Sequence, residues 1–365
     1  MLVLTGCAGA LQPAETTTST VTPVEVTPVP THQPTATARF PATATPTDEP
    51  FVPHLTRLTE PGCCVQPAWS PDGQQVRFID KRSDLPTSAI YGVDVNGGPV
   101  EVVSRIIGLL SPGDRYIAYL NSDYAVVVQD QETSIRSIIP SEGQAVFFSP
   151  NNERVAWQVI RQIGIYGQRR SDISVAAING QNARQVIAAT GGSIVGWLDD
   201  DHLLLLAGMV GKDANHRSLF SIAVEGEERV DLIDNDRIVA AGIAPGGEWV
   251  WYAVAFSPED PANDGLWIVR RDGTDRQQVG VFGAPQWRDA SHLLIVPERT
   301  IDGSHYLVQV DAETGDTMLL TDPSFFHFKI ESGEWKVSPT GDHVVFLNAA
   351  DSALWVFDLP PLTDP

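Results

Sequence analysis

Cysteine is nearly absent from this chain. Three occur in 365 residues, Cys7 and the neighbours Cys63 and Cys64, which excludes a disulfide scaffold and a four-cysteine zinc site. Bridging adjacent cysteines would bring their Cα atoms closer than disulfide geometry prefers, so two free or buried thiols are expected at 63 and 64. Positive charge is scarce as well, with 24 Lys and Arg against 46 Asp and Glu and a formal charge of -22. Such a surface repels nucleic acid and anionic lipid headgroups, and no nucleic-acid partner is expected. No apolar run approaches the roughly 18 residues of a membrane helix, and no capped amphipathic segment of helix length stands out.

Catalytic signatures are missing too. The chain has no Gly-x-Ser-x-Gly elbow, no Gly-x-x-x-x-Gly-Lys and no His-Glu-x-x-His, so it is read as a non-enzyme with no catalytic residue, no metal and no cofactor. Asp199-Asp200-Asp201 lacks the alternating oxygen ligands of a calcium loop and is read as a solvated turn.

Turn formers are abundant instead, with 30 Gly and 27 Pro. In Pro67-Ala68-Trp69-Ser70-Pro71-Asp72-Gly73 followed by Gln74-Gln75-Val76-Arg77-Phe78, an Asp-Gly turn joins two alternating segments, the pattern of a β-hairpin. Degenerate copies return every 40 to 50 residues or so, which is the mark of a repeat architecture. They centre on Ser111-Pro112, Ser149-Pro150, Trp197-Leu198-Asp199, Pro245-Gly246-Gly247, Trp287-Arg288-Asp289 and Ser338-Pro339. With a third and a fourth strand after each hairpin, the fold class is all-β, a seven-bladed β-propeller of four-stranded antiparallel blades. The last unit ends early because Pro360 and Pro361 cannot donate to a ladder, and His54 to Thr59 has the pattern of its missing outer strand. Ser70, Ser111, Ser149 and Ser338 recur at one turn and are therefore structural.

The hairpin Pro67 to Phe78 resembles the WD-repeat-like motif of TolB-type periplasmic propellers and of prolyl-oligopeptidase propeller domains. The resemblance implies fold rather than activity, since the peptidases carry their nucleophile on a separate α/β domain. A second resemblance lies at the N-terminus, where Leu4-Thr5-Gly6-Cys7 is similar to a bacterial lipobox. It implies lipid attachment at Cys7 and a start further upstream, because residues 1–7 are only part of a signal peptide. Residues 8–53, rich in Thr and Pro, read as a disordered linker, 54–361 as the propeller and 362–365 as a C-terminal tail. Together these place the protein on the extracytoplasmic face of the cell membrane as a lipid-anchored monomer.

In a four-stranded meander the loops between strands two and three emerge opposite the short turns, and here they are long and unequal, as binding loops are. Two of them concentrate positive charge: Arg161, Tyr166, Arg169 and Arg170 in the third repeat, and Lys212, His216 and Arg217 in the fourth. Side by side they would form a surface for carboxylates or phosphates; alternatively they pair with neighbouring acids such as Asp172 and Asp213. The expected function is non-enzymatic binding of a protein or cell-envelope partner through this long-loop face. Two alternatives stay open: solute or glycan binding at the central channel mouth, where Trp and Arg from several blades could converge, and a propeller-type hydrolase or lyase.

Overall fold

The spacing of the turn motif translates directly into strands. The computed structural model describes residues 51, 53–63, 65–82, 87–163, 168–208, 216–226, 228–257 and 260–362. The strands run in chain order as β1 (Leu55–Arg57), β2 (Val65–Trp69), β3 (Gln75–Asp80), β4 (Ala89–Asp94) and β5 (Glu101–Ser104), then β6 (Leu109–Leu110), β7 (Tyr116–Leu120), β8 (Val126–Asp130) and β9 (Arg136–Ile139). There follow β10 (Val146–Phe148), β11 (Arg154–Ile163), β12 (Gln168–Ala177), β13 (Arg184–Trp197), β14 (His202–Gly208), β15 (Arg217–Ala223) and β16 (Arg229–Asp236). The remainder are β17 (Ile238–Ile243), β18 (Trp249–Val254), β19 (Gly265–Arg270), β20 (Gln277–Val279), β21 (Gly283–Trp287), β22 (His292–Pro297), β23 (Val308–Asp311), β24 (Thr317–Leu319), β25 (Ile330–Val337), β26 (His343–Asn348) and β27 (Leu354–Asp358). Among the described residues the helical content is one 3-10 turn, Pro261–Asn263, and no helix is long and apolar enough to cross a membrane.

The architecture is an all-β propeller with four-stranded antiparallel blades, but its sheets are not seven equal units. Five sheets have four strands, and β10 to β16 form one sheet of seven. The cause lies in β13. Its first half, Arg184 to Thr190, pairs with β12, and its second, Ser193 to Trp197, with β14, Thr190 belonging to both ladders. Gly191-Gly192 separates the halves; Gly191 has φ +55, and a Cβ on Gly192 would stand 2.7 Å from that of Ala189. A chain expected to turn between blades instead runs on as one bent strand.

The ring closes as the sequence pattern predicts. β1 pairs with β27, Leu55 opposite Phe357, and supplies the fourth strand of the sheet β1-β27-β26-β25. Arg288 locks the same closure. It is buried, and its guanidinium donates to Gly341 O at 2.7 Å, to Gln309 Oε1 at 2.7 Å and to Pro360 O beyond β27. Burial holds its pKa below the ordinary arginine value.

Local turn chemistry follows the sequence reading. Ser70, Ser111, Ser149 and Ser338 are buried, and the Oγ of each accepts the backbone N–H five residues on, at 2.9 to 3.1 Å. The serine thereby ties the first residue of the second strand to the turn. Cys63 differs from expectation. It is disulfide-bonded, so the free-thiol reading, which rested on the strain of bridging neighbours, fails for this residue; Cys7 and Cys64 lie outside the described residues.

Replacing Arg288 by Met leaves three oxygen acceptors without their donor, at about 1–3 kcal/mol for each one that stays dry. The expected loss of unfolding free energy is on the order of 3 kcal/mol. Urea titration followed by tryptophan fluorescence measures it, and an unchanged midpoint would refute the lock.

Candidate functional site

The inner strands converge on the ring axis and are clasped there by tryptophans. Trp69, Trp197 and Trp287 end β2, β13 and β21. Their indole Nε1–H groups donate to Lys336 O in β25 at 3.1 Å, to Phe147 O in β10 at 2.9 Å and to Gly242 O in β17 at 3.3 Å. Each acceptor lies in an inner strand of the sheet or half-sheet before it, so one residue type at one repeat position stitches neighbours together around the channel.

At the short-turn end of that channel is a cavity of about 780 Å³. It is lined by Trp197, Trp251, Trp287, Gln286, Lys336 and Asp200, with the Pro245-Gly246-Gly247 turn at its edge. Trp251 owes its place to a glycine. It lies directly opposite Gly242, where a Cβ would meet its Nε1 at 2.5 Å, so only a residue without a side chain lets the indole lie over β17. Three indoles with a few polar groups in one concavity are the composition of a small-molecule or sugar site.

Asp199 and its neighbours form part of the rim. Its Oδ1 is 2.8 Å from His202 Nδ1 and its Oδ2 2.5 Å from Arg271 Nη2. Burial alone would raise the pKa of this carboxyl, but hydrogen bonds from Arg271, the Asp201 amide and His202 outweigh it and hold the value at about 2. For Asp199 the solvated-turn reading is therefore replaced by an ion-paired clasp between the turn after β13 and the turn after β19, while Asp200 keeps one oxygen on the Asn151 N–H at 2.8 Å. Among the described residues no three His, Cys, Asp or Glu side chains are grouped to hold a metal ion.

The cationic loops expected to carry binding are only partly assembled. Arg161 and Arg170 stand opposite each other across β11 and β12. Both are bound to Asp172, at 2.9 and 2.7 Å, and Arg161 also to Glu142 at 2.6 Å. Burial would raise the Asp172 pKa, but these two guanidinium partners lower it on balance. Arg169 is exposed, and His216 and Arg217 are half-buried. Arg170, Thr190, Gly208 and Arg217 occupy one row across four strands, which separates the two arginines by about 14 Å at the usual strand spacing. Tyr166 and Lys212 lie outside the described residues.

Sequence reasoning passed over Trp251, Gln286 and Lys336. The signal for Trp251 was available in the repeats. The third residue of the second strand is Arg77, Ala118, Ala156, Leu204, Trp251, Leu294 and Val345 in turn, and two of the seven depart from a small or aliphatic side chain.

No protein-family model matches the chain, and no curated protein does. Solved structures that are similar include an oligogalacturonate lyase in complex with manganese, 13% identical over 84% of this chain and 93% of that one, TM-score 0.60. A Pyrococcus horikoshii acylaminoacyl peptidase is 12% identical over 83% of this chain and 52% of that one, TM-score 0.57. The β-propeller domain of the trilobed protease from Pyrococcus furiosus is 13% identical over 84% and 97%, TM-score 0.53. At such identity the likeness carries the propeller fold, and the chain spans about half the length of the peptidase. It nevertheless overturns the expectation of a non-enzymatic propeller that binds a protein or cell-envelope partner through its long loops. A lyase and a peptidase carry propellers of this shape, and the aromatic cavity opens at the opposite end, among the short turns.

The Asp199 clasp gives a pH test. A carboxyl whose folded pKa lies below its unfolded value of 3.8 stabilises the fold fully above about pH 4 and loses that contribution as pH falls toward 2. Melting temperature should therefore drop across this window in the wild type and less steeply in Asp199→Asn. Parallel profiles in differential scanning fluorimetry would dissociate Asp199 from acid sensitivity.

Proposed function

We propose that this chain is a carbohydrate-active propeller of the lyase or hydrolase class that takes a short oligosaccharide into the channel mouth. The observation that carries the reading is the convergence of Trp197, Trp251 and Trp287 on one cavity with Lys336 and Asp200. Indole faces stack on the apolar C–H faces of sugar rings, and scattered polar groups fix their hydroxyls. Lys336 adds a cation able to face a sugar carboxylate. Neutralising that carboxylate acidifies the adjacent C–H, the first requirement of β-elimination, in which a base takes the proton, a double bond forms and the glycosidic C–O bond breaks. With Asp199 committed to Arg271 and His202, Asp200 is the carboxylate left for general-base or general-acid work. The similar oligogalacturonate lyase makes uronate oligomers the first substrates to try.

Within the propellers we read the chain as the TolB-type, WD-repeat-like form with seven blades, in which β13 serves as the outer strand of one blade and the inner strand of the next. Its support is the seven-fold turn motif together with the split pairing of β13. We further read the protein as a lipoprotein held outside the cytoplasmic membrane through Cys7.

Incubation with oligogalacturonate should yield an unsaturated product that absorbs in the ultraviolet, or new reducing ends if the reaction is hydrolysis. Trp251→Ala should raise KM about tenfold, the equivalent of one lost stacking contact, and Lys336→Ala should lower kcat on acidic more than on neutral oligomers. Absence of both product and calorimetric binding, for every oligosaccharide tried, would refute the assignment. For the anchor, Cys7→Ser should move the protein from the membrane to the soluble fraction of cells; retention in membranes would remove it.

A further inference from the structure

The packing between neighbouring blades is uneven in one place. Apolar clusters fill the space between β25–β27 and β2–β5, between β6–β9 and β10–β12, between the two halves of the seven-stranded sheet, and between the later neighbours in turn. Among the described residues no such cluster lies between β2–β5 and β6–β9. That seam holds a cavity of about 650 Å³ instead, lined by Trp69, Ile79, Ile90, Leu109 and Leu110, with Arg77 and Asp114 at one end.

The repeat register explains the gap. The third residue of the second strand packs toward the following blade: Ala118, Ala156, Leu204, Leu294 and Val345 each belong to the cluster on that side. In β3 this position is Arg77. Its guanidinium spans the seam to Asp114, Nη2 to Oδ2 at 2.5 Å, and takes the place of the methyl groups that seal the other seams. Arg77 is 9% exposed, and its Nε–H, also buried, has no hydrogen-bond partner among the described residues. A buried donor left without an acceptor costs about 1–3 kcal/mol, so an occupant that draws the guanidinium toward an acceptor gains up to that amount.

We propose that this seam is a binding site for a small, uncharged, largely apolar molecule that carries a hydrogen-bond acceptor. Its volume falls within the roughly 300–1,000 Å³ of small-molecule pockets, and its walls are mostly apolar, with Trp69 and Phe78 among aliphatic side chains and Gln66 and Ser111 as further polar groups. The polar end dictates the rest of the ligand. Arginine donates and cannot accept, so the occupant must accept. The charge of Arg77 is matched by Asp114, and Asp72 and Asp94 border the adjoining cavity, so an anion meets net repulsion while a cation would face the guanidinium. Leu109, 51% exposed, forms a rim open to solvent. The site shares no lining residue with the channel-mouth cavity and does not rest on the oligosaccharide reading.

The test uses the full chain and three fluorescent probes: Nile red, neutral with a carbonyl acceptor; pyrene, neutral without one; and anilinonaphthalene sulfonate, an anion. Nile red should bind saturably at one site, and more tightly than the other two. Leu109→Trp and Ala68→Phe, which add bulk from opposite walls, should each weaken it at least about tenfold, with melting temperature showing which variant remains folded. Trp251→Ala, in the other cavity, should leave Nile red binding unchanged. The double variant Arg77→Met with Asp114→Leu removes both charges together and should abolish the preference for Nile red over pyrene. Absence of saturable binding, indifference to the folded filling variant, or tighter binding of the anion would each overturn the proposal.

Discussion

Everything in this molecule depends on closing a ring of sheets whose faces are apolar on both sides. A propeller blade has no stable existence alone, because each face must be covered by a neighbour. The magnitudes show what does the covering. A buried aliphatic or aromatic side chain contributes about 1.5–3 kcal/mol, and each inter-blade cluster contains ten or more of them. An indole hydrogen bond such as that of Trp197 to Phe147 adds a net 0.5–1.5 kcal/mol or so. The clusters therefore supply the cohesion, and the tryptophan clasps set the position of each inner strand. A half-buried ion pair such as Arg77 with Asp114 is a poor substitute, since desolvation of the buried guanidinium offsets much of its attraction. A chain that retains one there sacrifices sealing at that seam.

Legibility from sequence followed how local the determining physics is. The Ser-Pro turn was readable because its purpose is completed within six residues, as Ser70 Oγ capping the Gln75 N–H illustrates. Ring closure by residues 54 to 59 was readable from the strand missing at the other end of the chain. The run of β13 across two ladders was not, because Arg184 to Trp197 looks like an outer strand, a loop and an inner strand until Gly191-Gly192 lets one piece pair on both sides. The arginines show the same limit. Arg161 and Arg170 share a hairpin, so their proximity was legible, but the two strands between Arg170 and Arg217 were counted as a short step between blades.

The channel mouth stood in the sequence reading only as an alternative, and the residues that line it were passed over for a different reason. Searching repeats for what they share finds the scaffold, because shared residues are those every blade needs. A site must break the symmetry, so it lies where one copy differs. Trp251 and Arg77 occupy the same repeat position and depart from its aliphatic rule, and each lines a separate cavity. The uniform short turns, set aside as structural, border both of them.

The pairing of β1 with β27 has a mechanical side. Only three residue pairs join the first strand to the last, yet they complete the same sheet that Arg288 ties to Gly341 and Pro360. A pull on the N-terminal end of the domain would load that short ladder before any other element. The first part to yield would be the seal of the circle, while a central hairpin such as β3–β4, with six residue pairs, would still be bearing no load. Under tension the protein would respond as a clasp that opens at a known link rather than as a body that unravels.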